Sequence, residues 1–193
     1  MIGRGADEKM KKAYLIHGTS LPDDDWFPWL KKTARQKLNC TVKIVDLPQP
    51  FSPHPSEWDA ACDRSIVATD GVTIIAHSLG CIEALRFIEQ HDVQQANLIL
   101  VSGFDEPIYT YPELNSFADH TFNYARDILP KVANAVVVTA KDDRIVPTQF
   151  SQTMAQHLRA KLILQSTGGH FLGDAGYTKL PVVLEELERV MHN

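Results

Sequence analysis

The sequence predicts a three-layer α/β/α sandwich, with a mostly parallel sheet of about six strands covered by helices on both faces. Three observations carry that expectation. Short β-branched and apolar runs recur along the chain. Stretches with helical spacing lie between them. The length of 193 residues, 44% of them hydrophobic, suits one compact domain spanning residues 1–193 and leaves no room for a second full domain.

The strand candidates are "AYLIHG" from Ala13, "TVKIVDLP" from Thr41, "GVTIIAHS" from Gly71, "ANLILVSG" from Ala96, "NAVVVTAKDD" from Asn134 and a weaker "KLILQSTGGH" from Lys161. Between them, Trp26, Leu30, Ala34 and Leu38 recur at helical spacing. So do Ile82, Leu85 and Ile88, and then Phe150, Met154 and Leu158 after Pro147. A last helix places Val183, Leu184, Leu187 and Val190 on one side. The segment "YARDILPKV", Tyr124 to Val132, reads as a helix interrupted near Pro130. The stretch Phe104 to Phe117 is rich in Pro, Tyr and acidic residues and lacks a clear period, so it is expected to be a short loop.

Composition excludes several classes of function. A net charge of −5 without a long basic run gives no electrostatic footprint for nucleic acid or an anionic membrane surface. Cys40, Cys62 and Cys81 are an odd count with no CxxC spacing, which suggests reduced thiols rather than a disulfide framework or a zinc site. The charged opening "MIGRGADEKMKK" does not resemble a secretory signal, and no apolar run approaches membrane-spanning length. Cytoplasm is the expected compartment. No metal or other cofactor is expected, because His54, His91, His120, His157 and His192 show no mutual spacing suited to metal binding.

The stretch "IIAHSLGC", Ile74 to Cys81, places a polar Ser78 at the end of an apolar strand, between Ala76 and Gly80. A strand that turns sharply into a helix exposes its corner residue and brings the two elements together, so only small neighbours fit two positions away. The following helix aims its first N–H groups at the corner, where they can stabilise negative charge on a bound carbonyl oxygen. In parallel sheets the working residues gather at the carboxyl ends of the strands. Those ends carry His17 and Gly18, Ser78, Asp142 and Asp143, and then Gly168, Gly169 and His170. Ser78, Asp143 and His170 follow the α/β-hydrolase order of nucleophile, acid and histidine.

The segments "HGTSLPDDDWFPWLKK", "AHSLGC", "LVSGF", "KDDRIVP" and "GGHFLGDAGYTKLP" together resemble the small YdeN-like serine hydrolases, a family related to retinoblastoma-binding protein 9. The resemblance runs from Leu15 to Pro181 and implies a minimal α/β-hydrolase fold with no large cap. It also implies a triad of Ser78, Asp143 and His170. Asp143 is preferred over Asp142 because the family's acid lies a short fixed distance before the Val-Pro that opens the next helix.

Each role has a chemical reason. A protonated serine is a weak nucleophile, and a histidine titrating near neutrality can take its proton and return it to the leaving group. Asp143 would orient the imidazole and stabilise its cation. The backbone N–H groups of Thr19 and Leu79 are the oxyanion-hole candidates. Trp26, Phe104 and Phe171 are candidate pocket residues, although Trp26 shares a helical face with Leu30 and also suits the core. Tyr109 and Tyr111 are further candidates for substrate contact. His17 is expected to shape its turn, and His77 to point to the side of the strand end opposite Ser78.

The expected function is hydrolysis of a small ester, thioester or activated amide through an acyl-serine intermediate. Two alternatives remain open: a protein-binding module built on the same fold, and an acyltransferase in which another nucleophile replaces water. A protein partner is compatible with the sequence but not indicated by it.

Overall fold

The computed structural model describes residues 10–108 and 111–192. Tyr109, one of the candidate substrate contacts, lies outside the described residues. Six strands form one sheet: β1 (Lys11–Ile16), β2 (Cys40–Ile44), β3 (Thr73–His77), β4 (Ala96–Val101), β5 (Val132–Ala140) and β6 (Lys161–Gln165). Their spatial order is β2-β1-β3-β4-β5-β6, with every neighbouring pair parallel. The helices are α1 (Phe27–Leu38), α2 (Pro55–Ser65), α3 (Gly80–Gln90), the short α4 (Asn115–Ala118), α5 (Thr148–His157) and α6 (Pro181–His192).

Both faces of the sheet are covered, so the central strands are buried without a polar side, as parallel sheets require. Adjacent residues feed opposite layers. Ile74 and Leu98 pack with Trp58, Ile82 and Leu85 from α2 and α3, whereas Ile75 and Ile99 pack with Leu30, Ala34, Val183 and Leu187 from α1 and α6. Cys40, Cys62 and Cys81 are free thiols within these layers.

Helix α1 has a proline in its first turn, where the missing N–H costs no hydrogen bond. It carries Arg35 and Lys37 in its last turn, where cations suit the helix dipole, and stops at Asn39 in a left-handed conformation. Helix α2 has no counterpart among the helices expected from sequence. Trp58, Ala61 and Cys62 are its buried residues, which makes a thin periodic signal. Tertiary contacts hold it: Trp58 Nε1 donates to the Pro48 carbonyl at 2.9 Å, and Arg86 on α3 grips Asp59 with a fork of 2.9 and 2.6 Å.

The helix expected over Tyr124 to Val132 is corrected to a π-helical turn at Tyr124–Ile128 and a 3-10 turn at Leu129–Lys131, with Val132 already in β5. Pro130 explains the break, since it lacks an N–H and its ring clashes with the preceding turn. Between β4 and β5 the described residues hold only these turns, a 3-10 turn at Pro112–Leu114 and α4, so no large cap stands over the sheet. No helix among the described residues is long and apolar enough to cross a membrane.

Candidate active site

Ser78 sits at the corner between β3 and α3 with φ of 54°, a left-handed conformation that a non-glycine residue rarely adopts. The corner is held by its own N–H, which donates to the Val101 carbonyl at 2.9 Å. Gly80 explains why the turn can be so tight. A Cβ there would lie 2.5 Å from the carbonyl oxygens of both Ile16 and His17, so the start of α3 rests directly on the end of β1. Gly18 makes the reciprocal approach, since a Cβ on it would meet Ser78 Cβ at 2.9 Å. The "HG" turn and the serine corner are thereby pressed together, with Thr19 and Ser78 lining common cavities and Leu79 fully buried behind them.

Asp143 follows β5 and His170 follows β6, yet His170 Nδ1 and Asp143 Oδ2 are 2.9 Å apart. The other carboxylate oxygen of Asp143 accepts from the N–H groups of Ile145 and Val146 at 2.9 and 3.0 Å. Burial pushes this carboxyl upward. The hydrogen bond and charge of His170, together with the two backbone donors, outweigh burial and hold Asp143 below the usual carboxylate range. Because a carboxylate only accepts, His170 Nδ1 carries the proton and Nε2 is left as an acceptor for the cavity it shares with Ser78. Asp142 is exposed and turns elsewhere, accepting from the Gly169 N–H at 2.8 Å.

Sequence reasoning did not assign His77 its structural part. Its ring packs edge-on against Trp26 and Phe27, and its Nε2 lies 2.9 Å from the His170 carbonyl oxygen. The carbonyl cannot donate, so Nε2 carries the hydrogen and His77 holds the His170 backbone from beneath. Complete burial brings the His77 pKa down to about 3, which keeps the ring neutral for this task. Gly168 allows the loop to close on its neighbour, since a Cβ there would meet Phe171 Cε1 at 2.4 Å. His17 is also buried, with Nδ1 3.0 Å from the Gly18 carbonyl and its pKa lowered by burial.

Two cavities open beside Ser78. One, of about 550 Å³, is lined by Thr19, Ser20, Asp23 to Asp25, His77, Ser78, Ile145, His170 and the 172–174 turn. The other, of about 440 Å³, is walled mainly by Phe51, Phe104, Ile108, Tyr111, Leu114 and Val146, with Ser78 and Thr19 at its mouth. Phe104 and Tyr111 therefore border the site. Trp26 and Phe171 are fully buried and line neither cavity: Trp26 backs His77, and Phe171 packs on Tyr177. Away from the site, His120 pairs with Glu89 and His157 with Asp105, each at 2.6 Å. Among the described residues no three His, Cys, Asp or Glu side chains are grouped as metal ligands.

Comparison with known proteins bears on this geometry. A family model described as "Serine hydrolase" matches residues 13–189, nearly the whole chain. The chain belongs to that serine hydrolase family. The hydrolase is 36% identical to YdeN of Bacillus subtilis (strain 168) over 181 residues, covering 92% of this chain and 94% of YdeN. It is 27% identical to serine hydrolase RBBP9 of Rattus norvegicus over 164 residues, covering 83% of this chain and 87% of the relative. The crystal structure of the B. subtilis ydeN gene product superposes with a TM-score of 0.87 at 34% identity, over 95% of this hydrolase and 100% of that chain.

Proposed function

We propose that this hydrolase cleaves small carboxylic esters, and by the same chemistry thioesters or activated amides, through an acyl-serine intermediate on Ser78. His170 Nε2 takes the Ser78 proton as Oγ attacks the carbonyl carbon. The N–H groups of Leu79 and Thr19 hold the oxyanion. Collapse breaks the bond to the leaving group, which departs with the proton from His170. Water then attacks the acyl carbon, gives its proton to His170, and releases the acid as Ser78 regains its hydrogen. Asp143 holds the imidazole in the required tautomer and balances its transient charge.

The observation that carries this reading is the juxtaposition at one cavity of a serine on a left-handed corner and a histidine bonded through Nδ1 to a buried carboxylate. The free buried thiols suit a reducing compartment, and we place the activity in the cytoplasm. A fluorophosphonate probe tests the mechanism without a known substrate: wild type is expected to be labelled stoichiometrically, and Ser78→Ala not at all. A folded wild type that resists labelling and cleaves no activated ester would favour a binding module on this fold instead.

A further inference from the structure

We infer that the site is divided by chemistry and selects esters whose leaving alcohol carries a positive charge. The inference rests on the serine hydrolase mechanism proposed above and adds the substrate class. Thr19, Ser78 and Ile145 line both cavities, so a carbonyl bound at Ser78 can direct its two substituents into different surroundings. His170 borders the larger cavity and is absent from the walls of the smaller one. Since His170 must hand its proton to the leaving oxygen, the leaving group belongs on the His170 side. The acyl group then enters the side formed by Phe104, Ile108, Leu114 and Val146, where its methylenes are removed from water.

The His170 side is acidic. Asp23, Asp24, Asp25 and Asp174 line it, and no Lys or Arg does. Two of these carboxylates are tied into the scaffold. Asp25 accepts from Ser20 Oγ at 2.9 Å and the Gly173 N–H at 2.6 Å, and Asp24 accepts from the Leu21 N–H at 2.7 Å. Those bonds fix the 20–25 loop against the 172–174 turn. Asp23 and Asp174 are exposed and make no hydrogen bond or ion pair among the described residues; Asp23 also borders a groove lined by Lys31, Lys32 and Arg35, whereas Asp174 does not. His170, bonded to Asp143 through Nδ1, borders the same wall, so the leaving oxygen that takes its proton lies beside these carboxylates. One exposed carboxylate attracts a cation weakly, but several around one concave wall act together on a charge held near the carbonyl.

The test compares the butyrate ester of choline with its neutral isostere, 3,3-dimethylbutyl butyrate, using p-nitrophenyl butyrate as the reference for acyl transfer. At low ionic strength the wild type is expected to favour the choline ester by about tenfold or more in kcat/KM, and high salt should shrink that ratio. In the Asp23→Asn/Asp174→Asn double variant the ratio should fall towards one. A wild-type ratio of one or below, or a ratio unaffected by both salt and the double substitution, overturns the inference. Cleavage of p-nitrophenyl butyrate without choline preference defeats the inference alone, whereas absence of both ester cleavage and fluorophosphonate labelling defeats the hydrolase mechanism beneath it.

Discussion

Two neighbouring carboxylates at the end of β5 face different surroundings: Asp143 is buried against His170 Nδ1, while exposed Asp142 holds the Gly169 N–H of the loop that carries His170. Asp143→Asn replaces an acceptor with a group that can present N–H to the same nitrogen, which reverses the tautomer or breaks the bond. Turnover of p-nitrophenyl butyrate by Asp143→Asn is expected to fall by about 10⁴-fold, and by less than about tenfold for Asp142→Asn. Comparable kcat losses, or the reverse order, would identify Asp142 as the acid. The preference for Asp143 came from what the family resemblance implies about spacing to Val146 and Pro147, and it is Asp143, not Asp142, that lies against His170 Nδ1. The props of the site were not legible in sequence. The His77–His170 contact joins residues 93 apart in sequence, and the Asp25–Gly173 contact joins residues 148 apart, so no local pattern marks either.

At the scale of elements, all six strands were legible because each is a compact β-branched or apolar run, and the corner at Ser78 was legible because Gly80 stands where β1 and α3 meet. Helix α2 escaped because its hold on the fold comes from α3 and the Pro48 carbonyl rather than from its own periodicity. The α2–α3 seam also contains a pH-sensitive group. Glu83 is fully buried and faces the Cys62 thiol and the Asp59 carboxylate of α2. Burial, reinforced by the negative charge of Asp59, pushes its pKa up to about 8, although the Arg86 guanidinium lies 3.8 Å away. An unfolded glutamate releases its proton near pH 4.3, about the usual value. The folded protein therefore holds the extra proton between that value and about 8, and the associated stability is present in acid and lost as pH rises across this window. Glu83→Gln is neutral at every pH and removes the dependence. Its Tm relative to wild type should increase steadily from about pH 5 to about pH 9. A Tm difference that does not change with pH would show that Glu83 is ionised in the folded seam at both ends.

For the whole molecule, the short connection between β4 and β5 limits what can cover the substrate. Phe104, Ile108, Tyr111 and Leu114 provide one wall of the proposed acyl side, and a cavity of about 440 Å³ beside open solvent buries only part of a long chain. Each buried methylene contributes roughly 0.8 kcal/mol, and those left in water contribute almost nothing. p-Nitrophenyl acetate and butyrate should therefore be cleaved with higher kcat/KM than the palmitate, without interfacial activation. A steady rise from acetate to palmitate below the micelle concentration would require a tunnel. The absence of a large cap was implied by the family resemblance, whereas the division of the site into two cavities depends on side chains from six or more segments and left no linear trace. The cysteines placed in the two core layers carry a further consequence for covalent chemistry. Burial pushes the Cys40 thiol up to about 11 and raises those of Cys62 and Cys81 as well, so the native molecule presents no thiolate near neutral pH. A serine-directed electrophilic warhead therefore meets no competing thiolate, and the moles of reagent consumed would count the Ser78 sites proposed above.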